Sequence, residues 1–160
     1  MLVLRAMTPA DTDGKGFVHY QSWQETYAGL VDENYLARMS VEKCRAMAHR
    51  YPESTIVAEL NGKIVGFSCY GPCRTPGCEG MGEVMAIYIL KEAQGLGIGR
   101  KLMDAAIEKL SAYDTILIWV LKGNEHAIGF YEHYGFRVDG IEAPIVIGTP
   151  NTVLRLTLQR

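Results

Sequence analysis

The chain has 160 residues, with 16 Lys and Arg against 18 Asp and Glu and a formal charge of −2. That length suits one compact domain, expected over residues 1–160, whose core needs no help from disulfides or metal. The near-neutral charge, without a basic tail, argues against nucleic acid as a partner, and no apolar run is long enough for a membrane span. Met1 leads directly into LVLRAM, not into a basic segment followed by an apolar one, so no signal peptide is read and a cytoplasmic location is expected.

LVLRAM alternates well enough to be a first strand, and Thr8, Pro9 and Asp11 then supply the start of a helix. Phe17, Tyr20, Trp23 and Tyr27 recur at helical spacing until Gly29, a stripe expected to face the core. A second helical stretch runs through DENYLARM, and Ser40 caps a third, ended by Pro52. The period then changes. Two β-rich runs joined by Asn61-Gly62 form a hairpin signal, followed by a Gly- and Pro-rich loop over 71–80. GEVMAIYIL is apolar on both faces after Glu83, which predicts a central strand covered twice. A glycine loop, an amphipathic helix, the strand TILIWV, the helix NEHAIGFYEHY and two last strands, FRVDGI and NTVLRLTL, complete the chain. The fold class is therefore α/β, a mixed sheet with helices on both faces, in the order β-α-α(α)-β-β-β-α-β-α-β-β.

Cys69, Cys73 and Cys78 crowd into SCYGPCRTPGCEG, and Cys44 lies apart. Structural zinc usually needs four ligands in paired short motifs, and no second pair follows, so no metal is expected and these cysteines are read as free thiols. The four histidines, His19, His49, His126 and His133, are read as surface or packing residues, and no nucleophile elbow is present.

The stretch QGLGIGRKL places Gly95, Gly97 and Gly99 at the mouth of a helix, where unpaired N–H groups and a partial positive charge favour an anion, most simply phosphate. A P-loop would put Lys and a hydroxyl residue after the last glycine, but Arg100, Lys101 and Leu102 stand there. A dinucleotide fingerprint needs a different glycine spacing near the first strand.

Gln94 to Arg100 match the Gln/Arg-x-x-Gly-x-Gly/Ala signature of the GNAT superfamily of acyl-CoA-dependent N-acetyltransferases. GEVMAIYI resembles that family's fourth strand, and NEHAIGFYEHYGF resembles its Asn-x-x-Ala-x-x-x-Tyr-Glu-x-x-Gly-Phe helix. The resemblance implies the GNAT fold, its central sheet splayed between the fourth and fifth strands, with acetyl-CoA as co-substrate and its pantetheine arm in the gap. On that basis Ile87, Tyr88 and Ile89 contact the arm, one strand N–H stabilises the thioester oxygen, and the N–H groups of Gln94, Gly95, Leu96, Gly97, Ile98, Gly99 and Arg100 hold the pyrophosphate. Asn124 would cap its helix and contact pantetheine.

An amine acceptor arrives mostly protonated, its pKa near that of Lys, about 10.4, so transfer needs a base. Glu83 is the candidate, a lone carboxylate opening an apolar strand, with Glu79 the weaker alternative. Tyr131 stands at the family's general-acid position and would protonate the departing thiolate. QSWQETYAGL resembles the beginnings of family members acting on small amines, so Trp23, Tyr27 and the 139–150 loop are expected to shape the acceptor site. The expected activity is acetyl transfer from acetyl-CoA to a primary amine of a small molecule, a polyamine, amino acid or similar, by direct attack in a ternary complex. Alternatives are a catalytically weak acyl-CoA sensor and an acetyltransferase acting on a protein amine. A homodimer is one assembly that the resemblance implies.

Overall fold

The computed structural model describes residues 1–50 and 54–160. Strand β1 (Leu2–Ala6) leads through a 3-10 turn at Pro9–Asp11 into α1 (Thr12–Tyr27), α2 (Glu33–Arg38) and α3 (Val41–Arg50). The hairpin strands β2 (Thr55–Leu60) and β3 (Lys63–Pro72) follow, then β4 (Gly82–Ile89), α4 (Ile98–Lys109), β5 (Thr115–Leu121), α5 (Glu125–Tyr134), β6 (Arg137–Ile147) and β7 (Thr149–Gln159). This is the expected order of elements. The helix stop expected at Pro52 lies outside the described residues.

Local chemistry accounts for the boundaries. The Ser40 hydroxyl accepts the Lys43 N–H at 3.1 Å, capping α3. Asn61 and Gly62 both take positive φ, 51° and 85°, the conformation a two-residue hairpin demands. The strands form one mixed sheet in the order β1-β2-β3-β4-β5-β7-β6, antiparallel throughout except where β4 meets β5. Successive residues of β3 show helices on both faces. Lys15 of α1 lies 5.0 Å over the Phe67 ring, whereas the Ser68 hydroxyl donates to the Leu102 carbonyl of α4 at 3.3 Å. One apolar cluster joins Val18, Val57 and Phe67 to Ile98 and Leu102, and a second gathers Met103, Ile116, Ile118, Phe136 and Leu156 under α4 and α5. Each fully buried side chain of this size contributes about 1.5–3 kcal/mol.

Three expectations need correction. The aromatic stripe of α1 faces the core only in part: Trp23 and Tyr27 pack against the cluster of Val31, Leu36 and Leu121, but the buried positions are Lys15, Val18 and Ser22, and Phe17 is 38% exposed. Gly16 lets α3 approach so closely that a Cβ there would sit 2.7 Å from the Arg45 Cα, so this part of the helix packs through small residues. The 139–150 loop is mostly strand, because β6 runs on to Ile147 and pairs with β7 after an irregularity between Val138 and Glu142. Pro144 is tolerated because β6 is the edge of the sheet. Finally, Cys73 and Cys78 are not free thiols but a disulfide, with Cα atoms 6.1 Å apart, closing part of the 71–80 loop; Cys44 and Cys69 are free.

Candidate active site

Strands β4 and β5 touch only at their beginnings, Gly82 beside Ile116 and Glu83 beside Leu117. Beyond those pairs they part. Val84–Ile89 stay with β3, and Ile118–Leu121 stay with β7. A cavity of about 400 Å³ occupies the resulting gap. It is lined from one face by Ser22 and Tyr27 of α1 and from the other by Phe130 and Tyr131 of α5, so it passes through the sheet.

Its far end is the glycine loop. Gly97 precedes α4 with φ of 79°, and Gly95 has φ of 80°; a Cβ at either would meet nothing within 4 Å. The amide groups of Gly95 through Arg100 have no acceptor among the described residues, and the first bond of α4 is Lys101 N–H to the Gly97 carbonyl at 3.2 Å. Gln94 departs from its expected role, since its N–H is already given to the Lys91 carbonyl at 3.2 Å. Gly99 differs from the other two glycines. A Cβ there would lie 3.0 Å from Ile89 and 3.3 Å from Phe130, so it is small for packing. Arg100 lines the cavity and lies 5.6 Å from the Tyr134 ring. Leu96 is 59% exposed and stands outside the cavity wall.

Ile87, Tyr88 and Ile89 form one lip of the gap. On the opposite side, the Asn124 side-chain oxygen accepts the Ala127 N–H at 3.3 Å, capping α5, and Asn124 also lines the cavity. Tyr131, two turns further on, lines the cavity and has a hydroxyl with no hydrogen-bond partner among the described residues. Burial, then the nearby Tyr27, pushes its pKa well above the ordinary phenol value, so the group keeps its proton.

Glu83 is buried at the closed end of the gap but does not line the cavity. Its carboxylate accepts the Arg74 N–H at 3.4 Å and faces the Arg74 guanidinium at 3.5 Å. The disulfide-closed loop thus places Arg74 over it.

Tyr27 borders the cavity and shares a 3.3 Å hydrogen bond with the Tyr88 hydroxyl. Trp23 sits behind it, ring centroids 4.6 Å apart and outside the cavity wall, in a cluster that includes His19 and Tyr35. Burial, and then the Lys15 ammonium, holds the His19 imidazole down to about 4. The tip of the β6–β7 hairpin closes this side. A Cβ at Gly148 would lie 2.5 Å from the Asp32 carboxylate, and Asn151 donates to the Leu30 carbonyl at 3.3 Å. Sequence reasoning missed Ser22, Met85, Trp119 and His126 in the cavity wall. Trp119 carried a signal, because any splay of the fourth strand from the fifth exposes side chains of both lips.

Residues 17–136 match the family model described as Acetyltransferase (GNAT) family. The chain belongs to the GNAT acetyltransferase family. It is 29% identical over 86% of its length to the probable N-acetyltransferase Rv2775 of Mycobacterium tuberculosis, covering 80% of that protein. It is 30% identical over 84% of its length to the uncharacterized N-acetyltransferase YuaI of Bacillus subtilis, covering 79% of it. The PaiA N-acetyltransferase of Thermoplasma acidophilum, solved in complex with coenzyme A, is similar over 100% of this chain and 99% of its own, with a TM-score of 0.75 at 19% identity. YncA from Salmonella typhimurium, solved with its cofactor acetyl-CoA, covers 99% of this chain and 94% of its own, with a TM-score of 0.73 at 19% identity. These two likenesses show the fold. As a GNAT protein the chain is an acyltransferase of the acetyl-CoA-dependent N-acetyltransferase kind.

The residues present fit that co-substrate. Open amides at 95–100, clear space over Gly95 and Gly97, and Arg100 beside them suit a diphosphate, while the apolar gap between two unpaired strand edges suits a thin amide-bearing arm. Among the described residues of this GNAT chain, no helix is long and apolar enough to cross a membrane.

Proposed function

We propose that the chain transfers an acetyl group from acetyl-CoA to a primary amine of a small molecule by direct attack in a ternary complex. The observation that carries this reading is one cavity joining the open amides of the glycine loop to the Tyr131 hydroxyl through the splayed sheet. When bound, acetyl-CoA supplies an electrophilic thioester carbonyl. The backbone N–H groups of Gly95, Leu96, Gly97, Ile98, Gly99 and Arg100 hold the diphosphate, and Ile87, Tyr88, Ile89 and Asn124 line the arm. Glu83 accepts a proton from the incoming ammonium through water, since its carboxylate stands outside the cavity wall. As the N–C bond forms and the C–S bond breaks, Tyr131 gives its proton to sulfur, and a proton from the amine restores the pair in the balance. Tyr27 forms the acceptor wall, with Trp23 packed behind it.

Free thiol released from acetyl-CoA over a panel of small amines tests the reading. Release that collapses in Tyr131→Phe while coenzyme A still binds supports it; tight binding with no release from any amine identifies a sensor instead. The same reading has residues 1–160 acting as one cytoplasmic domain. A homodimer belongs to it as well, supported by the outer edge of β6 with exposed Val138, Ile145 and Val146, and sedimentation velocity tests that assembly.

A further inference from the structure

The acceptor side of the cavity is short of uncommitted negative charge. Among the described residues, no Asp or Glu lines the cavity. The carboxylates of the neighbouring elements are committed elsewhere: Glu83 is held by Arg74. Asp139 accepts the Ile141 N–H at 3.0 Å and the Arg155 Nε–H at 2.6 Å. Asp32 accepts the Asn34 N–H at 3.0 Å, capping α2.

Donors, by contrast, are left over. Trp119 Nε1 and Ser22 Oγ belong to residues of the cavity wall and are buried without a partner among the described residues. Arg155, itself outside the cavity wall, stands directly opposite Trp119, which lines it, in the β5–β7 ladder, and antiparallel partners project from the same face. That face is the α1 side, because Leu154, Leu156 and Leu158 of β7 pack under α4 and α5 on the other. The Arg155 side chain is 14% exposed and oriented by Asp139 through Nε, while Nη1 and Nη2 have no partner among the described residues.

An oligoamine would bring several ammonium groups against this wall with no free carboxylate to receive them, and desolvating unpaired charge is costly. A carboxylate, in contrast, matches the two free nitrogens of a guanidinium held in place by its third. We infer that the acceptor is an amine carrying its own carboxylate, in the manner of an amino acid, with Arg155 as the carboxylate's partner and the Trp119 indole N–H beside it. The inference rests on the amine-acetylation reading given above and names its substrate class.

The test compares glycine, L-alanine and L-methionine with their amides, alongside putrescine and spermidine, by initial rates of thiol release. The amides have the more acidic ammonium, so amine reactivity alone would favour them. The expected result is a kcat/KM for the acids at least about tenfold above that for the amides, carried in KM. In Arg155→Gln the preference should fall to about twofold or less, and Arg155→Lys should restore part of it. A purely structural Arg155, serving only its pair with Asp139, would lower acid and amide rates alike and leave the ratio intact, which overturns the inference. Release from the amides or putrescine in preference to the acids also overturns it, while leaving amine acetylation standing. No release from any compound, with coenzyme A bound, overturns the underlying reading and this inference together.

Discussion

Tyr131 illustrates how burial fits a side chain to one half of a proton transfer. Desolvation keeps its hydroxyl protonated across the physiological range, and the residue lines the cavity. Tyr131→Phe removes the donor and leaves the ring packed on Phe130 and Phe136, so kcat should fall about 10²-fold while coenzyme A affinity by calorimetry stays within about twofold. Glu83 is different in kind, being buried, held by Arg74 and separated from the cavity. Glu83→Gln should lower kcat by a similar ~10² at neutral pH, and the deficit should shrink in assays at higher pH, where more of the amine is already free. A deficit that stays constant with pH would assign Glu83 to structure. At this scale the sequence was informative about which residues gather, because the pattern around Asn124 and Tyr131 singles out one tyrosine. It was less informative about how they act. The packing role of Gly99 depends on Phe130, distant in the chain, whereas the Gln94 N–H bond to Lys91 and the Cys73–Cys78 bond depend on how a short loop closes, which composition does not specify.

Elements defined by local chemistry were the most legible. Asn61-Gly62 announces its hairpin, Ser40 its helix, and the glycine loop its anion site, since each depends on backbone conformation within a few residues. The α1 face was legible only in part and the length of β6 was not, because tertiary contacts decide them: the close approach of α3 at Gly16, and an edge position that tolerates Pro144. The two kinds of glycine give opposed predictions. Gly97→Ala forces a Cβ into positive φ, a strain of about 1 kcal/mol, and directs it into open space at the mouth of α4. Coenzyme A affinity should drop at least about tenfold, with the thermal midpoint lowered by only a few degrees. Gly16→Ala drives a Cβ to within 2.7 Å of the α3 backbone, so it should destabilise the fold by about 1–3 kcal/mol in urea titration while the surviving folded fraction binds coenzyme A normally. If both variants lose affinity and stability in the same proportion, the loop has no distinct anion-binding role.

Across the whole molecule, two groups on the α1 side, Asp11 buried and His19 partly buried, shape the response to acid. His19 stacks on Tyr88 with ring centroids 6.2 Å apart, and burial beside Lys15 lowers its pKa from 6.5 to about 4. The unfolded chain therefore takes up this proton first, and stability should fall as pH drops from about 6.5 to about 4. Asp11 works in the lower range. Its pKa is held at about 2, chiefly by the Arg5 guanidinium at 2.7 Å and then by Thr8, with burial opposing. Its contribution is complete above the ordinary 3.8 and is lost as pH falls toward 2. Arg5 also holds Glu59, so this network ties the turn before α1 to β1 and β2. Urea midpoints measured from pH 7 to pH 3 should separate the two groups. Relative to the parent chain, His19→Phe should flatten the decline between pH 6.5 and 4, recovering up to ~2 kcal/mol at the acid end. Asp11→Asn should lower stability by about 1–2 kcal/mol at pH 7 and by progressively less below pH 4, after discounting for partial solvent screening of the pair. Parallel curves for His19→Phe and the parent would show that this imidazole is free to protonate in the folded protein, and that the stack against Tyr88 does not exclude its charge.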